Sequence, residues 1–142
     1  MSAEANTAIV RRLIEEAQEG GNLGVVDELL ADDFVDHSPL PGLPPTRDGV
    51  RMLFGGMKAA FPDLRVTIHE QVAADERVVT RKTFSGTHEG PFMGVPATGK
   101  PISFDAIDIL TIRGGLIREH RVVVDQLTLL QQLGVIPTDN AR

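Results

Sequence analysis

Apolar residues recur every three or four positions through the first third of the chain and alternate through the second half. Val10, Leu13, Ile14 and Ala17 share one face of a helix, with Arg11, Arg12, Glu15, Glu16 and Glu19 on the others, and Gly20-Gly21 closes it. Asn22 is placed to cap a second, short helix carrying Val26, Leu29 and Leu30. Phe34 to Ser38 leads out of that helix, and Pro39, Pro41, Gly42, Pro44 and Pro45 impose an irregular loop. Thr46 can cap a third helix, where Val50, Leu53, Phe54, Met57 and Phe61 keep the helical period until Pro62-Asp63.

The period then changes to two. Leu64 to Ile68 alternates as a half-buried strand does, and Ala74-Asp75-Glu76 reads as a turn. Arg77 to Phe84 is a second strand, rich in β-branched residues. A Gly- and Pro-rich connection runs from Gly86 to Pro101. Ile102 to Ile112 and Leu116 to Val124 are two further strands joined by a Gly114-Gly115 hairpin turn. Leu127, Leu130 and Leu133 mark a short closing helix, with Gly134 at its C′ position and Pro137 beyond.

Three helices followed by antiparallel strands predict an α+β fold. The expected form is a curved antiparallel (mixed) sheet, closed on one side by the three N-terminal helices as a cone with an internal pocket. All 142 residues fit one domain, with no repeat and no linker.

Composition narrows the chemistry. The chain has no Cys, Tyr or Trp, so thiolate nucleophiles, cysteine-ligated metals and phenolic proton donors are excluded. A net charge of −6 argues against nucleic acid and anionic membrane surfaces as partners. No apolar run approaches a membrane span, and Met1 to Ala17 lacks a basic segment followed by an apolar one. The expected location is the cytoplasm. No two His stand at metal-ligating spacing on one element, so no metal is expected. Neither a phosphate-binding Gly loop nor a Gly-x-Ser-x-Gly elbow occurs.

Four segments carry a resemblance: Leu30 to His37, Gly86 to Lys100 (with Gly86-Thr87-His88-Glu89-Gly90 and Gly94-Val95-Pro96-Ala97-Thr98-Gly99), Ile107 to Leu110, and the tail Gly115 to Asp125 with Leu129 to Gly134. The chain resembles SnoaL-like polyketide cyclases, within the nuclear transport factor 2-like superfamily. That resemblance implies the cone fold, a homodimer or higher homo-oligomer, and cofactor-free closure of a polyketide ring by intramolecular aldol addition. It also implies an Asp at the end of the last long strand as general acid or base, and the matching residue is Asp125. Where many relatives carry Trp, this chain carries Arg121.

The residues themselves leave alternatives. Ile117, Glu119, Arg121, Val123 and Asp125 share parity, so a regular strand points them to one face. If that face is internal, Asp125 is a pocket acid or base, Glu119 shares the chamber with it, and Arg121 holds an enolate oxygen or an anionic group of the substrate. Otherwise Asp125 caps the closing helix through Thr128, while Arg121 pairs with a neighbouring carboxylate or is turned outward by a bulge. Asp108, among Ile107, Ile109 and Leu110, is either a pocket carboxylate or a structural partner. His88 either shuttles protons over the pocket mouth or pins the Gly-rich loop. His37 lies near the rim or at a helix end; Phe34 and Phe92 are expected to contact substrate. His120, of opposite parity to Asp125, is expected on the helix-facing or the outer side, and His69 is expected to be exposed.

The resulting expectation is an acid/base enzyme without cofactor, acting on a small hydrophobic carbonyl compound. Asp125, His88 and Asp108 are its catalytic candidates; Arg121, Glu119, His37, Phe34 and Phe92 are its binding candidates. Two alternatives stand beside it. One is hydrolysis of an epoxide or lactone by an Asp108–Arg121–Asp125 set; the other is a binding domain without chemistry.

Overall fold

The computed structural model describes residues 2–137. Helix α1 (Ala3–Arg12) starts where the Ser2 hydroxyl accepts the Ala5 N–H at 3.1 Å. It continues as a π-helical stretch, Leu13–Glu19, and stops at Gly20 and Gly21, the latter at φ +77°. Helix α2 is Gly24–Leu29 and α3 is Arg47–Ala60. Neither expected cap is made by a side chain. Helix α2 begins one residue late, so Asn22 offers only its carbonyl, to Val25 N–H at 3.2 Å. Thr46 likewise caps α3 with its carbonyl, to Val50 N–H at 3.2 Å.

The main correction to the predicted elements is strand β1, Leu30–Asp36. Its sequence has no clean alternation, and Leu30 reads as the end of a helix. The segment instead pairs parallel to strand β5, Leu116–Val124, whose edge would otherwise be open. The remaining strands are β2 (Arg65–Ala74), β3 (Arg77–Thr87) and β4 (Pro101–Arg113). β2 runs well past Ile68 because it pairs along most of β3. The order β1-β5-β4-β3-β2 makes a mixed, open, five-stranded sheet, antiparallel except at β1. Gly114 and Gly115, at φ +63° and +78°, make the β4–β5 turn. Helix α4 (Gln126–Gln132) closes the described chain, with Gly134 at φ +83° after it.

The helices cover one face of the sheet. Val10, Ile14, Ala17, Val26, Phe61, Val78 and Ile117 are almost wholly buried between them. Among the described residues, no helix is long and apolar enough to cross a membrane.

Candidate active site

Alternation along β3 puts Val78, Thr80, Lys82 and Phe84 on the covered face. Alternation along β4 adds Phe104, Ala106, Asp108 and Leu110. Two of these eight side chains carry charge. Lys82 Nζ lies 2.6 Å from Asp108 Oδ2, and the side chains are 5% and 2% exposed. Gln18, from the π-helical stretch, accepts a second Lys82 N–H at 3.2 Å, and the Phe84 ring lies 5.1 Å from the same nitrogen. Asp108 Oδ1 is buried without a hydrogen-bond partner. A buried carboxylate oxygen left in that state is costly, so it marks a place where a ligand group is wanted.

This ion pair forms part of the wall of a cavity of about 120 Å³. The rest of the wall is largely apolar, including Leu30, Phe34, Phe54, Met57, Phe104 and Leu129. Leu40 from the Pro-rich loop and Phe92 and Met93 from the connection between β3 and β4 also line it. That connection is anchored close to α3: the Glu89 and Gly90 N–H groups donate to the Ala60 carbonyl at 2.9 and 3.1 Å. Gly90 has no side chain because a Cβ there would sit 2.6 Å from the Ala59 carbonyl oxygen.

Asp36 and His120 also belong to the polar part of the wall. Parallel pairing sets them side by side, and His120 Nδ1 is 2.9 Å from Asp36 Oδ1. The Ser38 N–H donates to the same oxygen at 2.9 Å. Burial opposes the charge on Asp36, yet the His120 hydrogen bond and the Ser38 N–H outweigh it and hold the carboxyl below its ordinary range.

Of the predicted site residues, Asp108, Phe34 and Phe92 line this cavity, and the others do not. Thr111 pairs with Glu119 but Ile112 pairs with Ile117, which leaves Arg118 as an extra residue in β5. The bulge reverses parity. Ile117 points in, whereas Glu119, Arg121, Val123 and Asp125 do not, and His120, Val122 and Val124 take the inward positions. Asp125 is exposed and caps α4, accepting the Thr128 hydroxyl at 2.7 Å and its N–H at 3.1 Å. Those two bonds hold its carboxyl below the usual range. Glu119 sits between His37 Nε2 at 2.8 Å and Arg121 Nη1 at 3.6 Å, and the His37 contact lowers its carboxyl first. The Asp108–Arg121–Asp125 hydrolytic set is therefore not assembled: Asp108 lines the cavity, whereas Arg121 and Asp125 are exposed outside it.

His88 is fully buried but is not on the cavity wall. Its Nδ1 accepts the Thr98 N–H at 3.3 Å and meets the Thr98 hydroxyl at 2.9 Å, while its ring packs 5.7 Å from Phe61. These contacts pin the Gly-rich connection. Sequence reasoning missed Lys82 and Gln18; it left His120 on either the helix-facing or the outer side, and the structure places it on the helix-facing one. The available signal for Lys82 was its shared parity with Val78 and Phe84. Among the described residues, no three His, Asp or Glu side chains are grouped to hold a metal ion.

A family model described as SnoaL-like polyketide cyclase matches residues 8–133. The chain belongs to the SnoaL-like polyketide cyclase family. Aklanonic acid methyl ester cyclase DauD of Streptomyces sp. (strain C5) is 30% identical over 132 residues, covering 89% of this chain and 80% of the relative. Nogalonic acid methyl ester cyclase of Streptomyces nogalater is 29% identical over 118 residues, covering 80% and 87%. Among solved structures, TsrD from Streptomyces laurentii superposes with a TM-score of 0.87 at 28% identity, covering 96% of this chain and 99% of that one. The family likeness thus extends over both the helices and the strands that frame the cavity.

Proposed function

We propose that this protein closes a ring in a small hydrophobic carbonyl compound by cofactor-free aldol chemistry, with Asp108 as the base. The observation that carries this reading is the buried, unpartnered Oδ1 of Asp108 on an otherwise apolar wall. Such an oxygen is suited to take a proton from carbon next to a carbonyl. The Lys82 ammonium beside it is suited to offset the negative charge that then develops on the enolate oxygen. Gln18 and Phe84 hold that ammonium in place. Phe34 and Phe92 supply apolar contact for the substrate.

The relatives named as methyl ester cyclases support this substrate class. A cavity of about 120 Å³ matches a guest of roughly one ring, by comparison with the ~150 Å³ void that admits benzene. A larger ester therefore requires side chains of the wall to move. The exposed Ile107–Val123 pair on the outer sheet face supports a homodimer through that face, which analytical ultracentrifugation tests directly.

The deciding assay uses aklanonic acid methyl ester and follows products by chromatography and mass. Ring closure leaves the mass unchanged, whereas hydrolysis of the methyl ester takes up water and releases methanol, so product mass and labelled water separate the two. Asp108→Asn is expected to slow closure by at least ~10²-fold, the usual scale for loss of an acid/base group. Closure at the wild-type rate in that variant would refute the role of Asp108.

A further inference from the structure

Asp108 and Lys82 do not account for all the titratable chemistry in the cavity. Asp36 and His120 stand on the same wall with a defined hydrogen bond and no assigned task. We propose that His120 is the general acid of ring closure, delivering a proton from Nε2 to the oxygen of the attacked carbonyl, with Asp36 as its positioning residue. This inference rests on the cyclase reading above.

The geometry supports a division of labour. Asp36 Oδ1 is an acceptor already, since it takes the Ser38 N–H, so it fixes the proton of His120 on Nδ1. That leaves Nε2, which has no hydrogen-bond partner among the described residues, as the ring atom available to a guest. A carboxylate behind an imidazole both orients the ring and stabilises its protonated form. Leu110 pairs with His120 and Asp108 pairs with Val122. Asp108 and His120 are therefore diagonal neighbours on the inner face, a relation that sets residues about 7–8 Å apart. At that spacing the two side chains reach different atoms of one substrate.

The step balances without any further reagent. Asp108 Oδ1 takes the proton from the carbon next to one carbonyl, and the C–H electron pair becomes the enolate. That carbon then bonds to the second carbonyl carbon, whose C=O π bond opens to an alkoxide. His120 Nε2–H protonates the alkoxide. Asp108 is left protonated and His120 neutral, and transfer of one proton from the first to the second resets both. Substrate and product have the same atoms and the same oxidation level.

The test is incubation of aklanonic acid methyl ester in deuterated water, reading two things at once. Deuterium uptake into unclosed ester reports the base; ring closure reports base and acid together. His120→Gln is expected to keep the uptake and lose closure by about 10²-fold. His120→Ala is expected to behave alike and to regain closure when free imidazole is added. Asp36→Asn retains an acceptor for Nδ1 but not its charge, so kcat should fall while KM stays the same. The imidazole ¹⁵N signals of His120 should keep the Nδ1–H tautomer in that variant. Closure by His120→Gln at the wild-type rate would overturn the proposal. So would joint loss of uptake and closure, which would make His120 the base or a structural residue. Uptake lost only in Asp108→Asn, with none lost in His120→Gln, separates the two roles. An absence of uptake in the wild-type protein would refute the carbon-acid reading itself, and the acid role of His120 with it.

Discussion

Lys82 Nζ and Asp108 Oδ2 meet at 2.6 Å across β3 and β4, inside an apolar wall and almost sealed from solvent. Each charge is tolerable only because of the other. Removing one partner of such a pair leaves an uncompensated buried charge. Lys82→Met is therefore expected to lower stability by about 3–5 kcal/mol. Combined with Asp108→Leu, most of that loss should be recovered, since a well-packed apolar pair costs no desolvation. Urea unfolding of the two single variants and the double variant measures this; a double variant as weak as the singles would contradict it.

Asp125 is held by Thr128 on the exposed end of α4. Asn is also a good N-cap, whereas Ala is not. Asp125→Asn should leave both ring closure and melting temperature unchanged, and Asp125→Ala should lower only the melting temperature. A large loss of turnover in Asp125→Asn, with the fold intact, would bring that carboxylate back into the chemistry.

The Asp36 carboxyl has an ordinary value of 3.8 and is held lower in the folded protein. The folded state thus binds this proton less readily than the unfolded chain does. Its contribution to stability is fully present above pH 3.8 and is lost as the pH falls through the folded-state value. The stability gap between the wild type and Asp36→Asn should be constant near neutrality and narrow below that point. Denaturant midpoints taken from pH 7 to pH 3 test this, and a gap that widens toward acid would reverse the sign.

Gly90 lies against the α3 backbone, where an added Cβ would come within 2.6 Å of the Ala59 carbonyl oxygen. Neither backbone partner can move aside cheaply. Gly90→Ala should destabilise the protein by about 1–3 kcal/mol. It should also loosen the segment that carries Phe92 and Met93. Faster amide hydrogen exchange across residues 88–100 is the expected signature, and unaltered exchange would show that the segment is anchored elsewhere.

Local chemistry in the chain determined much of the architecture. Helical spacing of Val10, Leu13, Ile14 and Ala17 specified α1 and its extension, because a helix must bury one stripe. Gly114-Gly115 specified a turn needing positive φ, and Asp125 with Thr128 specified a cap made within one helical turn. The burial of Asp108 was also foreshadowed by its apolar neighbours, since Ile107, Ile109 and Leu110 mark a strand in the sheet.

Tertiary structure decided the site. β1 exists because β5 presents an edge to it, and no feature within residues 30–36 specifies that partner. One extra residue, Arg118, turns Glu119, Arg121 and Asp125 away from the cavity and turns His120 into it. A strand's side-chain period is two, so a single bulge exchanges the faces of everything beyond it. The meeting of Lys82 with Asp108, and of Asp36 with His120, depends on the register between strands distant in the chain. Register is a property of paired strands, and each strand's own sequence leaves it open.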